Sequence, residues 1–257
     1  TPTAIKSSPT VADGTLFVGS GNDLYAISTD TGFLGSSGEQ QWTFEADEMI
    51  YSSPTVAGGT VFVGSADSHL YAIDTDSSDQ QWAFEAEGAI YSSPTVADGT
   101  VFVGSGTDLE EGLDVSLYAV DAESGEQQWA FETNNFVESS PTVAGGTVFV
   151  GSNDKNLYAV DAGSGEQQWA FETGDEVDSS PVVADGTVFV GSQDGTLYAL
   201  NAGVSGSSEG SRVNGPLGTA DDETSMVGPG FGILGSLAAL GSAGYLFERR
   251  LAGQESE

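Results

Sequence analysis

The chain lacks cysteine altogether and has very few basic residues. Its 257 residues include 5 Lys and Arg together against 39 Asp and Glu, which gives a formal net charge of −34. Without cysteine, disulfides, thiolate metal sites and cysteine nucleophiles are impossible. Nucleic-acid binding requires clustered cations that release counterions from phosphates, so the scarcity of Lys and Arg excludes a nucleic acid as a partner.

The acidic excess predicts a surface adapted to concentrated salt. In molar salt the Debye length falls to about 3 Å, which screens the repulsion between carboxylates. The alternative is an acidic extracellular protein with no halophilic adaptation. Hydrophobic residues make up 38% of the chain and aromatic residues 10%, so a folded domain is expected despite the charge.

A repeated motif organises the first 200 residues. Ser-Ser-Pro followed by Thr or Val begins at five positions, which are Ser7, Ser52, Ser92, Ser139 and Ser179. The spacings of 45, 40, 47 and 40 residues define a 40-residue unit with insertions in the first and third copies. Repeats of this length are typical of solenoids and propellers.

Each repeat predicts four short strands. In the fourth copy we expect strands near 141–144, 147–151, 157–160 and 167–171, with a Gly-Gly hairpin turn after the first. Helical periodicity is absent before residue 230. The fold class is therefore all-β, a β-propeller of four-stranded blades over residues 1–202, and the fifth copy is incomplete because it ends near Asn201 without its tryptophan strand.

The turn before the last strand carries a further motif, Ala-x-Asp-x-x-Ser-Gly-x-x-x-Trp, which is intact at residues 119–129 and 159–169. The second copy has Ser78 in place of the glycine, and the first is interrupted by extra residues before Gly38. This motif resembles the docking motif of PQQ-type β-propeller repeats, and the resemblance extends over about residues 7–202. It implies that one tryptophan per blade packs between blades, at Trp42, Trp82, Trp129 and Trp169. Propellers of that family usually have more blades, so we expect further blades upstream of this sequence. The repeated Asp67, Asp154 and Asp194 are interpreted as turn formers.

The last 55 residues differ in composition from the repeats. Residues 203–227 are rich in Gly, Ser and acids and predict a flexible tether. Residues 226–247 form an uncharged stretch, and this stretch is long enough for a transmembrane helix, which we assign to residues 228–250. Arg249 and Arg250 follow, so the positive-inside bias places residues 251–257 in the cytoplasm and the propeller outside.

The uncharged segment begins with Pro229, Gly230 and Phe231. The order Pro-Gly-Phe, apolar stretch and Arg-Arg resembles the PGF-type C-terminal sorting signal of archaeal surface proteins. The resemblance implies recognition by an archaeosortase-type enzyme, removal of the apolar tail and attachment of a lipid. The alternative is a plain membrane anchor. With the acidity, the signal predicts a haloarchaeal protein on the extracellular face of the plasma membrane.

Two functions from different classes remain open. The first is a non-catalytic interaction or scaffold module that binds surface proteins or glycans, as in a surface layer. The second is a quinoprotein dehydrogenase that uses PQQ and Ca²⁺. A catalytic site breaks repeat symmetry, whereas the candidate side chains recur from blade to blade, so we predict no catalytic or cofactor-binding residues and no enzyme activity.

One insertion in the third repeat stands out by its acidity. Four carboxylates within seven residues could bind Ca²⁺ through oxygen ligands or could simply form a solvated loop. They are Asp108, Glu110, Glu111 and Asp114.

Overall fold

The computed structural model describes residues 4–30, 38–106 and 115–208. The secondary structure of these residues is entirely β, in five antiparallel sheets that follow one another along the chain. Each sheet is a meander in which every strand pairs with its sequence neighbours. We refer to the sheets as blades one to five.

The first four blades have four strands each. Blade one contains β1 (Thr10–Ala12), β2 (Thr15–Ser20), β3 (Asp23–Ser28) and β4 (Gln40–Glu45). Blade two contains β5 (Thr55–Ala57), β6 (Thr60–Gly64), β7 (His69–Asp74) and β8 (Gln80–Glu85). Blade three contains β9 (Thr95–Ala97), β10 (Thr100–Gly104), β11 (Val115–Asp121) and β12 (Gln127–Thr133). Blade four contains β13 (Thr142–Ala144), β14 (Thr147–Gly151), β15 (Asn156–Asp161) and β16 (Gln167–Glu172).

Blade five has three strands, as the sequence predicted. They are β17 (Val182–Ala184), β18 (Thr187–Gly191) and β19 (Leu197–Asn201). The first strand of each blade contacts the first strand of the next, so these short strands line the inner edge of the array. This arrangement is that of consecutive propeller blades, and the prediction of an all-β propeller is confirmed.

The inner hairpins have the turn that their sequence demands. Ala144 pairs with Thr147, and between them Gly145 and Gly146 have φ angles of 54° and 73°. Two consecutive positive φ angles are the signature of a type I′ turn, which matches the right-handed twist of the strands.

The hydrophobic core lies between blades rather than within a single sheet. One face of blade two, with Phe62, Leu70 and Ala72, packs on the Val101 and Tyr118 side of blade three. Equivalent clusters join the other three pairs of adjacent blades. The second strands of blades two to four, β6, β10 and β14, are therefore buried on both faces, because each of these blades is covered on two sides.

The Ser-Ser-Pro-Thr motif connects adjacent blades through hydrogen bonds. Ser52 Oγ accepts a bond of 3.1 Å from Gly64 N within blade two. Ser53 N donates to Ser93 Oγ in the next blade at 2.9 Å, and Thr55 Oγ1 donates to Pro94 O at 2.6 Å. The same threonine-to-proline bond recurs at Thr10, Thr95 and Thr142. The repeat thus supplies hydrogen-bond partners for the buried polar groups at each junction. Loss of one of these bonds would lower the free energy of unfolding, because it would leave a buried group without a partner.

After β19 the chain turns towards the inner edge of blade five. Gly203 and Gly206 have positive φ angles, and Gly206 O accepts from Gly186 N at 2.9 Å. Ser208 then bonds Val183 through both its backbone N–H and its hydroxyl. Residues 203–208, which the sequence assigned to the tether, therefore lie against blade five. The rest of that tether and the predicted anchor helix fall outside the described residues.

Candidate interaction site

Six-residue segments at one end of the blades form the candidate site. Each follows the outer strand of one blade and precedes the Ser-Ser-Pro motif of the next, and we call them the mouth loops. Their residues are 46–51, 86–91, 133–138 and 173–178. The inner hairpin turns and the motif that precedes each tryptophan lie at the opposite end of the sheets, because the strands alternate in direction.

Each mouth loop is held by the two blades that it joins. Ile90 N donates to Ser65 O of blade two at 2.9 Å, and Ala89 O accepts from Gly106 N of blade three at 3.0 Å. The Ile90 side chain is fully buried, and a Cβ at Gly64 would lie 2.2 Å from its Cγ2. Only glycine therefore fits at Gly64 without a shift in the loop. These contacts fix the neighbouring mouth residues before any ligand binds.

The residue before each Ser-Ser-Pro motif breaks the repeat symmetry. The five equivalent positions carry Lys6, Tyr51, Tyr91, Glu138 and Asp178. Two positions earlier the side chains also vary, with Ala4, Met49, Ala89, Phe136 and Glu176. The mouth therefore changes from aromatic and apolar at blades two and three to acidic at blades four and five.

Two adjoining cavities open at this end of the blades. The larger has a volume of about 670 Å³ and is lined by Tyr51, Ala66, Ser68, Ala89, Tyr91, Gly106, Phe136 and Glu138. The second, of about 480 Å³, is lined by Gly21, Asn22, Asp47, Glu48, Met49, Tyr51, Ala66 and Tyr91. They adjoin, since they share Tyr51, Ala66 and Tyr91 as lining residues, and we call the two together the mouth trough.

The aromatic part of the mouth trough is ordered by ring contacts. Tyr51 and Tyr91 meet edge to face, with centroids 5.4 Å apart and planes inclined at 77°. Lys6 Nζ lies 4.7 Å from the centroid of the Tyr51 ring, and the Tyr51 hydroxyl donates to Met49 Sδ at 3.2 Å. The distance from Lys6 is within the range of a cation–π interaction. Tyr91 is 41% exposed, so its ring is accessible to a ligand.

The acidic part carries excess negative charge. Partial burial raises the pKa of Glu138, and the nearby carboxylates of Asp178 and Glu176 raise it further. Among the described residues Glu138 has no ion-pair partner, because Lys155 pairs with Asp175 at 3.1 Å and Lys6 lies over Tyr51. A ligand that brings positive charge would relieve this repulsion.

The four tryptophans lie between blades. The indole N–H of Trp42, Trp82 and Trp129 donates to a backbone carbonyl of the following blade, at 2.8, 3.2 and 3.0 Å. Trp169 packs on the blade-five cluster, where a Cβ at Gly203 would lie 3.8 Å from its Nε1. None of them lines the cavities of the mouth trough.

The repeated aspartates occupy turns at the mouth end. Asp154 Oδ1 accepts from Asn156 N at 3.0 Å, and its Oδ2 accepts from Asn134 N and from the Tyr158 hydroxyl at 3.1 and 2.7 Å. Asp67 and Asp194 make the corresponding local bonds. These contacts agree with the turn-former interpretation and add a role in joining adjacent blades.

The other predicted site residues fall outside the described part of the chain. They are Asp108, Glu110, Glu111 and Asp114 of the acidic insertion, and Pro229, Gly230, Phe231, Arg249 and Arg250 of the sorting signal. Within residues 4–30, 38–106 and 115–208, no group of three or more acidic or His side chains is arranged to hold a metal ion. The same residues include no helix with the length and apolar character needed to cross a membrane.

Sequence reasoning missed the mouth residues. It treated the acidic insertion as the only asymmetric feature with chemical potential. The signal was nevertheless present, because alignment of the five Ser-Ser-Pro motifs places Lys6, Tyr51, Tyr91, Glu138 and Asp178 in one column. What the sequence could not show is that three members of this column, Tyr51, Tyr91 and Glu138, line one cavity.

Comparison with known proteins places the chain in a family. The sequence profile of the family described as outer membrane protein assembly factor BamB matches residues 2–108, 35–135 and 113–207. These matches span most of the chain. The chain belongs to this PQQ-like repeat family. A search of curated protein sequences found no match.

Solved structures share the fold of the family at low sequence identity. BamB from Moraxella catarrhalis has a TM-score of 0.64 and 18% identity, over 80% of this chain and 61% of its own. A europium-containing methanol dehydrogenase has a TM-score of 0.67 and 14% identity, over 80% of this chain and 50% of its own. Quinohemoprotein alcohol dehydrogenase from Comamonas testosteroni has a TM-score of 0.66 and 19% identity, over 79% and 42%. The chain therefore spans less than two thirds of each of these proteins.

The family name raises the question of whether PQQ fits the mouth trough. PQQ carries three carboxyl groups, so a protein site must offer it positive or hydrogen-donating groups. The described wall instead presents Glu138, with Asp178 and Glu176 close enough to influence its pKa. A tricarboxylate would be repelled by these side chains. Without a bridging cation, the residues of the mouth trough therefore do not fit this cofactor.

Proposed function

We propose that the chain is a non-catalytic interaction module that binds a partner at the mouth trough. The observation that carries the proposal is the contrast between constant blades and a variable mouth. The residues between blades repeat almost unchanged. The position before each Ser-Ser-Pro motif, in contrast, carries Lys6, Tyr51, Tyr91, Glu138 and Asp178, so only blades two and three have the same residue there. A recognition surface needs different groups at different positions, and a rigid frame lowers the entropic cost of binding.

The composition of the mouth trough supports binding to a macromolecule. Exposed Tyr and Met side chains provide large contact areas, and aromatic residues are enriched at binding hot spots. The connected cavities cross several blades, which suits an extended segment of a surface protein or glycan. The fold is shared with BamB, an assembly factor by its name, and with dehydrogenases, so fold alone does not decide between binding and catalysis.

A retention experiment tests the interaction module. The full chain, immobilised in molar KCl, is exposed to solubilised envelope components of the native cells, and retained partners are identified by mass spectrometry. A Tyr51→Ser/Tyr91→Ser variant should lose partners that the wild type retains. Phe189→Ser is the control, because Phe189 is an exposed ring outside the mouth trough.

Two results would contradict the proposal. Retention that survives the tyrosine substitutions, or that is lost equally in the Phe189 control, would place recognition elsewhere. Saturable binding of PQQ with Ca²⁺, together with alcohol-dependent dye reduction, would favour the quinoprotein dehydrogenase instead.

We further propose that the module is displayed on the outer face of the plasma membrane through its C-terminal segment. The support is the uncharged stretch at residues 226–247 and the basic pair that follows it. Mass spectrometry of the intact protein from native membranes tests this placement. A chain that ends near Pro229 with added lipid mass supports archaeosortase-type sorting, retention of residues 226–257 supports a plain anchor, and recovery as an unmodified cytosolic protein contradicts both.

A further inference from the structure

We propose that the mouth trough binds a lysine or arginine side chain of a partner polypeptide, with the ring of Tyr91 and the carboxylate of Glu138 as its receptors. This inference rests on the proposed interaction function and specifies the chemistry of the partner. It follows from three features of the described residues: a cation that already lies over an equivalent ring, carboxylates on the far wall and a trough longer than one side chain.

The first feature is the position of Lys6. Its Nζ lies 4.7 Å from the centroid of the Tyr51 ring. Tyr51 precedes the Ser-Ser-Pro motif of blade two, and Tyr91 precedes that of blade three. An ammonium group can therefore lie over the face of a tyrosine ring at the position before the Ser-Ser-Pro motif. Tyr91 occupies the equivalent position one blade further, where its ring meets that of Tyr51 edge to face.

The second feature is the charge on the far wall. Glu138 lines the same cavity as Tyr51 and Tyr91, and Asp178 and Glu176 lie close enough to perturb its ionisation. Lys6 and Lys155 are the only lysines or arginines in the described residues, and both already have partners. A cation supplied by a partner would therefore meet an uncompensated carboxylate on one side and an aromatic ring on the other.

The third feature is the length of the mouth trough, which bears on the size of the ligand. The larger cavity alone is about 670 Å³, and the second cavity continues past Met49 towards blade one. A single ammonium group fills a small part of this space. A polypeptide segment would place its cationic side chain between Tyr91 and Glu138 and lay apolar neighbours along Met49, Ala89 and Phe136.

High salt separates contact recognition from general attraction. A chain with a formal charge of −34 attracts any cationic peptide at low ionic strength. At about 2 M KCl the Debye length falls below about 3 Å, so long-range attraction is screened and only close contacts contribute. Binding is therefore measured in concentrated KCl.

The experiment is calorimetric titration of the full chain with acetyl-Gly-Leu-Lys-Leu-Gly-amide. The matched probe is the same peptide with an Nε-acetylated lysine, which keeps the shape and removes the charge. Tyr91→Leu and Glu138→Gln should each weaken binding of the lysine peptide by about fivefold or more. Glu166→Gln removes the same charge at the opposite end of blade four and should leave the affinity unchanged. Both mouth side chains are exposed, so neither substitution is expected to unfold the chain.

The supporting result is charge-dependent binding that is lost in both mouth variants and retained in the Glu166 control. Equal binding of the two peptides, equal losses in the Glu138 and Glu166 variants, or no binding of the lysine peptide would overturn the inference. Butylammonium binding as tight as the lysine peptide would assign the site to a free amine and overturn the polypeptide part. If envelope partners still depend on Tyr51 and Tyr91 while the peptides fail, the interaction module stands and only its cationic specificity is wrong.

Discussion

Truncation of the same phenylalanine in two blades tests whether the covering neighbour determines the stability of a blade. Phe149 in β14 and Phe189 in β18 occupy equivalent positions, since each is the third residue of its strand and pairs with the first residue of the preceding inner strand. Phe149 is fully buried against blade five, with its ring centroid 5.8 Å from that of Trp169. Phe189 is 38% exposed on the uncovered face of blade five.

The expected losses differ because only one truncation creates a cavity. Phe149→Ala removes a buried ring and leaves a void between two blades, which typically costs about 3–5 kcal/mol. Phe189→Ala leaves a notch that water can fill, so only part of the transfer free energy is lost, about 1 kcal/mol. The predicted difference in the free energy of unfolding is therefore at least about 2 kcal/mol.

The assay is urea-induced unfolding in concentrated KCl, followed by tryptophan fluorescence. Phe102→Ala is the matched control, because Phe102 is 2% exposed in blade three and should lose about as much as Phe149. An equal loss for Phe149→Ala and Phe189→Ala would refute the reasoning, since it would mean that Phe189 is covered in solution. A dependence of the Phe189 result on protein concentration would identify the cover as a second molecule.

Three further predictions follow from the charge and the hydrogen bonds. Thermal unfolding followed by circular dichroism should occur at a higher temperature in about 3 M KCl than in dilute buffer, because salt screens carboxylate repulsion; equal midpoints would contradict halophilic adaptation. The Tyr198 hydroxyl lowers the pKa of Asp194 from 3.8 to about 2, so this stabilisation is present above about pH 4 and lost as the pH falls through 2. Tyr198→Phe should raise that pKa in a carbon NMR titration, and an unchanged value would discount the bond. Thr95→Val removes the donor to Pro141 O and should lower the free energy of unfolding by about 1–2 kcal/mol, whereas a neutral result would mean that the bond is replaced.

The strands could be predicted from the sequence because local patterns specify them. In blade four the expected segment 147–151 coincides with β14, and 157–160 lies within β15. Gly145 and Gly146 identify the hairpin turn because both require positive φ angles. These signals depend on residues close together in sequence, and a single repeat contains all of them.

Contacts between blades could not be read in the same way. Thr55 bonds Pro94, which lies 39 residues away, and Ser53 bonds Ser93 across 40 residues. The sequence showed that these residues recur, but recurrence does not reveal which atoms meet. The mouth trough is a stronger case, since Tyr91 and Glu138 come from different repeats and share a cavity only because the blades are stacked.

Blade five shows how a single substitution changes what can be held at a junction. In the other blades the inner strand begins with a threonine that donates to the proline carbonyl of the next blade, as Thr142 does to Pro181 at 2.6 Å. The equivalent residue here is Val182, which is 56% exposed and has no hydroxyl to donate. Leu197 on the same blade is 67% exposed, whereas Leu157 at its position in blade four is fully buried. A neighbour on this face would therefore lack the threonine bond and depend more on apolar contact, which makes the junction less geometrically specific than the four before it.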